Sequence, residues 1–382
     1  DGAKQLQLRA FLLSLGGSSQ ASTGLLHPDA PLPAVGEYGG PARALDATDE
    51  EAFLRGRSAF DFEFGYGEGI GGPRFNGDSC RACHFEPTIG GAGPIDLNVM
   101  RHGLLTEDGQ FVQPEVGTIL HRLRRVGEGQ QRAQPGTAVY EMRQTPHLFG
   151  LGLIDALPED VVLANADPDD LDGDGISGRP SFTDDGRLGR FGWKGSVPSI
   201  REFVRDAVAM ELGMTLPQDV GQSFGRVHDN DGVTDPEVHF DYARDLEHFL
   251  TLLGPPPRQT PEDPALAARG EELFGTVGCD RCHVPALQGP DGPVPLYSDL
   301  LLHEVLSPRV KGIEEASATM REMRTAPLWG VSQTAPYMHD GLAETLAAAI
   351  RAHDGEAVAT RTAFQNLSGE DRDALLAFLE TL

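Results

Sequence analysis

Cys80-Arg81-Ala82-Cys83-His84 and Cys279-Asp280-Arg281-Cys282-His283 hold all four cysteines of a 382-residue chain, and each reads C-x-x-C-H. Two thiols at that spacing with histidine directly after them form the attachment signature of a c-type haem. The thiols reach the two vinyl groups of one porphyrin, and the adjacent imidazole then lies under the iron as its proximal ligand. Cys80, Cys83, Cys279 and Cys282 are therefore expected to attach two covalent c-type haems, with His84 and His283 on the irons. Two other readings stay open. A single zinc site usually draws on cysteine pairs much closer than the roughly 200 residues between these. Redox-active thiol pairs leave both following histidines without a role. Haem attachment of this kind is completed outside the cytoplasm, so a periplasmic or other extracytoplasmic location is expected.

The rest of the composition bounds the architecture. At 382 residues the chain exceeds twice a typical domain length, and 39% apolar residues are enough for a sizeable core. Gly 47 and Pro 28 point to long loops between short elements. A formal net charge of −27 repels phosphate backbones and anionic lipid, which argues against nucleic-acid and membrane-surface partners. No apolar run approaches 18 residues, so no membrane span is expected. The opening Asp1-Gly-Ala-Lys-Gln reads as a processed or trimmed start, and no targeting segment fixes the compartment.

The chain also reads as a diverged tandem repeat. Gly254-Pro-Pro-Pro-Arg-Gln-Thr-Pro-Glu-Asp-Pro264 is a proline-rich linker. Helical stretches at Asp49 to Phe60 and Ala265 to Phe274 precede the two haem motifs. Met142-Arg-Gln-Thr-Pro-His-Leu-Phe-Gly150 and Met323-Arg-Thr-Ala-Pro-Leu-Trp-Gly330 follow them. Each half closes with an amphipathic helix, one started by Asp235-Pro236 and one by Ser368-x-x-Asp371. Strand-like alternation is sparse. The expectation is a mainly α protein of two cytochrome c-like domains, 45–255 and 262–382, behind an N-terminal extension, 1–44.

Between these landmarks the halves align through Trp193-Lys-Gly195-Ser-Val-Pro-Ser199-Ile200 and His339-Asp-Gly341-Leu-Ala-Glu-Thr345-Leu346. In both, a glycine is followed four residues later by a helix-capping hydroxyl. Twelve residues after Gly341 stands His353; twelve after Gly195 stands Ala207. A second strong ligand favours electron transfer, whereas an empty sixth position admits a small molecule. His283 and His353 are therefore expected on one iron, with Met338 or His339 as alternatives, and an open or weakly closed iron on His84. Arg143 and Arg324 occupy matching positions and suit haem propionates; plain surface exposure is the other reading. His147 has no histidine counterpart and is expected to be structural. Asp170-Leu-Asp172-Gly-Asp174-Gly175 opens like a calcium loop without its twelfth-position glutamate; a solvated acidic loop explains it as well. Asp229-Asn-Asp231-Gly232 is a weaker candidate of the same kind.

Phe75-Asn-Gly-Asp-Ser-Cys-Arg-Ala-Cys-His84, Leu188-Gly-Arg-Phe-Gly-Trp-Lys194, Thr325-Ala-Pro-Leu-Trp-Gly330, Ala335-Pro-Tyr-Met-His-Asp-Gly341 and His353-Asp-Gly-Glu-Ala357 carry a family likeness. Over about residues 55 to 380 the chain resembles the bacterial di-haem oxidoreductases of the di-haem cytochrome c peroxidase superfamily. The resemblance implies a peroxide-reacting N-terminal haem and a C-terminal electron-transfer haem. It further implies a tryptophan between the haems, matched by Trp193, and an acid in the distal pocket of the first, matched by Glu211. A displaceable distal histidine is implied at a distance comparable to His102, for which a surface loop is the other reading. A calcium ion between the domains belongs to the same likeness. The expected activity is reduction of hydrogen peroxide, with electrons from a small redox protein or a protein substrate. A non-catalytic di-haem carrier and a peroxide-driven oxidase of Trp or Tyr on a partner protein are the rivals.

Overall fold

Local capping chemistry sets the helix starts in the computed structural model, which describes residues 31–125 and 130–382. Asp46 accepts the N–H groups of Thr48 and Asp49 and opens α1 (Ala47–Asp61). The later helices are α2 (Leu151–Asp155), α3 (Glu159–Leu163), α4 (Ile200–Met210), α5 (Phe240–Leu252), α6 (Pro264–Thr276), α7 (Leu346–Ala352), α8 (Val358–Asn366) and α9 (Gly369–Leu379). Side-chain oxygens of Ser199, Asp263, Thr345 and Ser368 cap α4, α6, α7 and α9. Each satisfies an N–H that the first helical turn leaves unpaired. Asp235-Pro236 does not start α5. His239 is its N-cap, while the Asp235 carboxylate accepts from the Thr215 hydroxyl at 2.8 Å and the Asp229 N–H at 3.3 Å.

The two main helix pairs, α1 with α5 and α6 with α9, are built alike. Gly56 of α1 lies against the Asp245 carbonyl of α5, where a Cβ would stand 2.1 Å from the oxygen. Gly270 of α6 lies against the Ala374 carbonyl of α9, where a Cβ would stand 2.0 Å away. Only glycine permits either approach. One turn on, Phe60 meets Phe249 at 5.4 Å and Phe274 meets Phe378 at 5.4 Å between ring centroids. Tilted and edge-on aromatic pairs of this kind add about 0.5–1.5 kcal/mol beyond the area they bury. The aligned turns also match. Phe191 bridges Val197 around Gly195, and Tyr337 bridges Ala343 around Gly341, both glycines having positive φ.

Helix accounts for less of the chain than a mainly α fold requires; turns and irregular segments hold most of the described residues. Ten short strands, all antiparallel, add to them: β1 (Arg74–Phe75), β2 (Val99–Leu105), β3 (Phe111–Val112), β4 (Ile119–Leu120), β5 (Leu123–Arg124), β6 (Val139–Arg143), β7 (Leu287–Gly289), β8 (Gly292–Val294), β9 (Leu302–Glu304) and β10 (Glu322–Arg324). β2 pairs with β3, β4 and β6, while β1–β5, β7–β8 and β9–β10 are separate pairs. The halves interlock. Leu287, Val294, Leu300, Leu301 and Trp329 pack into the larger, N-terminal core, while Phe274, Phe364 and Phe378 anchor the smaller one. Lys194, fully buried, donates from Nζ to the carbonyls of Thr319 at 2.8 Å and Glu322 at 2.7 Å. Residues 31–44 of the expected extension run to a bridge between Pro41 and Leu253; residues 1–30 lie outside the described part. No described helix is long and apolar enough to cross a membrane.

Candidate functional site

The second C-x-x-C-H segment borders a largely apolar cavity of about 330 Å³, which His353 also lines. His283 follows the short turn Cys279–Arg281, and its Nδ1 donates to the Tyr297 carbonyl at 2.9 Å. His353 is the C-cap of α7, and its Nδ1 donates to the Ala349 carbonyl at 2.8 Å. In each ring this leaves Nε2 as the free ligand atom, the arrangement in which a backbone carbonyl orients a metal-binding imidazole. Burial lowers His283 to about 4 and pulls His353 the same way, so both rings are neutral donors. Met338 and His339 line the same cavity; the His339 carbonyl accepts the Gln144 N–H at 2.7 Å.

At the first motif, His84 Nδ1 lies 2.9 Å from the Pro146 carbonyl and 3.2 Å from that of Gly91, again leaving Nε2 free. Burial brings its pKa down to about 4. Burial also pushes the Cys80, Cys83 and Cys279 thiols up to about 12. All four cysteines are free of disulfides. A redox dithiol needs a lowered pKa, which burial of Cys80, Cys83 and Cys279 opposes. Among the described residues no cysteine belongs to a cluster with metal-ligand spacing.

Glu211 reaches the first motif through Asn76. Its carboxylate accepts from Asn76 Nδ2 at 2.6 Å, and its carbonyl accepts the Asn76 N–H at 2.7 Å. Asp206, five residues earlier on α4, is half-buried, and burial raises it to about 7 against the pull of Arg101. Arg101 pairs with Glu315 at 2.8 Å, and Glu315 accepts from the Ser196 hydroxyl at 2.8 Å. Burial opposes the charge on Glu315, but Arg101 and Arg143 hold it down at about 2. The sequence did not single out Asp206, Arg101 or Glu315, because three distant segments bring them together. His102 is no surface loop residue. It is fully buried on β2, and its Nδ1 bonds the Thr137 hydroxyl at 3.0 Å. Successive strand residues face opposite ways, so it points away from the face on which Arg101 meets Glu315.

Trp193 touches both halves. Its indole N–H donates to the Gln144 carbonyl at 2.9 Å, its own carbonyl accepts the Arg324 N–H at 2.8 Å, and its ring lines the cavity. Segment 144–147 is equally placed: Pro146 holds His84, and His147 faces the cavity. The matched arginines differ. Arg143 is already neutralised by Glu141 and Glu315, which leaves little charge for another acid. The Arg324 guanidinium donates to the carbonyls of Gly192 and Thr325, at 2.9 and 3.0 Å, and burial lowers it to about 10.

A haem fits these surroundings. The cavity is largely apolar, and among the described residues no carboxylate bonds the Arg324 guanidinium in its wall. The buried atoms Trp329 Nε1, His147 Nδ1 and His339 Nδ1 line it without a hydrogen-bond partner. Such atoms and a free cation are what propionates would satisfy.

In the acidic loop the structure gathers Asp167, Asp170 and Asp172, with ligand atoms within 4.8 Å of one another. Asp174 is turned elsewhere: one oxygen accepts the Ile176 N–H at 2.9 Å and the other lies 3.5 Å from Arg281. Asp229, Asp231 and Glu237 form a second such group, in which Arg125 pairs with Asp231.

No curated protein matches the chain. Among solved structures, a MauG-like protein associated with microbial copper homeostasis shows 16% identity and a TM-score of 0.43, over 92% of this chain and 94% of that one. Kuenenia stuttgartiensis hydrazine synthase shows 15% identity and a TM-score of 0.42, over 92% and 97%. A sequence profile described as "Di-haem oxidoreductase, putative peroxidase" matches residues 136–382, which include the second haem motif, Trp193, Glu211 and His353. The chain belongs to this di-haem oxidoreductase family.

Proposed function

We propose that the protein carries two covalently attached c-type haems and reduces hydrogen peroxide at the first, with electrons delivered by way of the second. Cys80 and Cys83 would attach the first porphyrin, with His84 as iron ligand. Cys279 and Cys282 would attach the second, with His283 and His353 as the residues that would hold its iron. Bound there, the haems supply one iron open to peroxide and one suited to passing electrons. The chain's own part is positional and protonic. Glu211, oriented by Asn76, offers the carboxylate that moves a proton from one peroxide oxygen to the other. Trp193 presents an aromatic ring between the halves, and Arg324 neutralises a propionate.

One observation carries this reading: His353 shares a cavity with His283, whereas the matching position in the first half is Ala207, with Glu211 and Asp206 nearby. Low-temperature EPR of the ferric protein tests it. The expected result is one high-spin signal and one low-spin signal, the latter lost in His353→Ala. Two low-spin signals, and a reduced protein that binds no CO, would leave only an electron carrier. Peroxide use seen only while Trp or Tyr of an added protein is oxidised would point to a protein oxidase.

The location proposed is the periplasm, the compartment in which such attachment is completed. The net charge of −27 suits a basic redox protein as donor, with turnover that falls as salt rises. A calcium ion would draw on Asp170 and Asp172 with Asp167 in place of Asp174. Terbium luminescence that survives Asp170→Asn would remove that assignment.

A further inference from the structure

His303, which lines the cavity beside the second motif, belongs to a charge cluster that neither haem motif contains. His303, on β9, is 2% exposed. Its Nε2 lies 2.8 Å from Asp299 Oδ2 and its Nδ1 lies 3.0 Å from Glu356 Oε2. An ionised carboxylate only accepts, so both bonds require a hydrogen on each ring nitrogen. Burial opposes that charge, but the bonds to Asp299 and Glu356 hold the imidazole's pKa well above its ordinary range.

The two acids belong to different segments, one beside each histidine. The Asp299 N–H donates to the Cys282 carbonyl at 2.9 Å, and Asp299 lies two residues past Tyr297, whose carbonyl holds His283. Glu356 lies three residues past His353. Its carboxylate also accepts the Ser177 N–H and hydroxyl, at 3.1 and 2.8 Å, and the Glu304 N–H at 3.1 Å. The Asp354 N–H donates to the Val305 carbonyl at 2.9 Å. Gly355, with φ +55°, sits so close to β9 that a Cβ would stand 1.9 Å from the Glu304 carbonyl oxygen. His303 bonds both acids, and its Nδ1 lies 3.6 Å from Cys282 Sγ.

We propose that Asp299, His303 and Glu356 form a positioning brace that ties the segment bearing His283 to the segment bearing His353, and so sets the span across which the two imidazoles face one iron. The brace rests on the bis-histidine reading of the second haem. Removing His303 would leave two acids without their shared cation, a costly state for buried charge, and would release the 353–357 segment from β9. A cluster serving stability alone would lower the melting temperature and leave the iron's ligands unchanged.

The experiment is low-temperature EPR and CO binding on the haem-loaded protein as wild type, His353→Ala, His303→Leu, His303→Gln and Glu356→Gln. His353→Ala should abolish the low-spin signal of the wild type. If the wild type has no such signal, or the variant keeps it, the bis-histidine reading falls and the brace falls with it. With that reading intact, His303→Leu should lose low-spin intensity, gain a second high-spin signal and bind CO at the second iron. His303→Gln, which can still donate to one carboxylate, should recover part of the low-spin signal. If His303→Leu does not fold, Glu356→Gln decides by the same signals. A wild-type spectrum and unchanged CO binding in His303→Leu, or in Glu356→Gln where that variant decides, overturn the brace alone.

Discussion

The two halves share a scaffold and differ in what it presents. Gly56 and Gly270 bring their helix pairs to the same close approach, and Gly195 and Gly341 turn the chain alike before helices capped by Ser199 and Thr345. Twelve residues past those glycines one half carries a methyl group and the other an imidazole. The surroundings diverge to match. Around Ala207 stand Asp206, Glu211, Arg101 and Glu315; beside His353 stands the His303 cluster. The proximal anchors differ too, Pro146 holding His84 and Tyr297 holding His283. A repeated backbone can thus fix where a ligand would stand, while a single side chain decides whether one is there.

The strongest way to break this contrast is to erase it. Ala207→His should give the first half the second half's ligand: the high-spin EPR signal and peroxide turnover should both disappear. A variant that keeps its high-spin signal would mean that Gly195 and Gly341 do not mark equivalent positions. Glu211→Gln keeps the shape and removes the carboxylate proposed to carry the proton. Peroxide kcat should drop by about 10²-fold or more, in the range that general acid–base groups supply, with spectra unchanged. At the level of the scaffold, Phe249→Ala and Phe378→Ala should each cost about 3–5 kcal/mol in denaturant unfolding. A large loss in one and none in the other would show that the helix pairs are not equivalent.

The smallest effect concerns pH. Asp206 ionises near 3.8 in a free chain and at about 7 where it is buried in the folded protein. Within that window the folded state keeps a proton that the unfolded state has released, so the group makes stability fall as pH rises, with the full cost present above about 7. Asp206→Asn should therefore raise the melting temperature over wild type progressively across the window and by a constant amount above it. An equal gain at every pH would sharpen the contrast differently, by attributing the effect to packing.

What could be read ahead from the chain was local. The C-x-x-C-H segments, the glycine turns and the caps Ser199, Thr345 and Ser368 each depend on a few adjacent residues, and each formed. The internal alignment set His353 against Ala207 because it compared short segments of like geometry. Assembly across long separations escaped. β2 takes its partners from β3, β4 and β6, and its seven residues give little alternation to notice. The Asp299–His303–Glu356 cluster needs β9 and the segment after α7 to meet, and nothing in the spacing of those residues announces it. Asp235 does not cap because its carboxylate is taken by the hydroxyl of Thr215, twenty residues back, and by the N–H of Asp229 in its own loop. Asp174 turned to Arg281 for the same kind of reason.

Residues 144–147 are a shared pivot. One carbonyl of this tetrapeptide steadies the indole of Trp193, the next but one steadies His84, and the following side chain faces the neighbouring cavity. A tilt of those four residues would be registered at both C-x-x-C-H motifs together. Neither site can be retuned through this stretch in isolation, so a substitution here is judged twice, once by each half of the molecule.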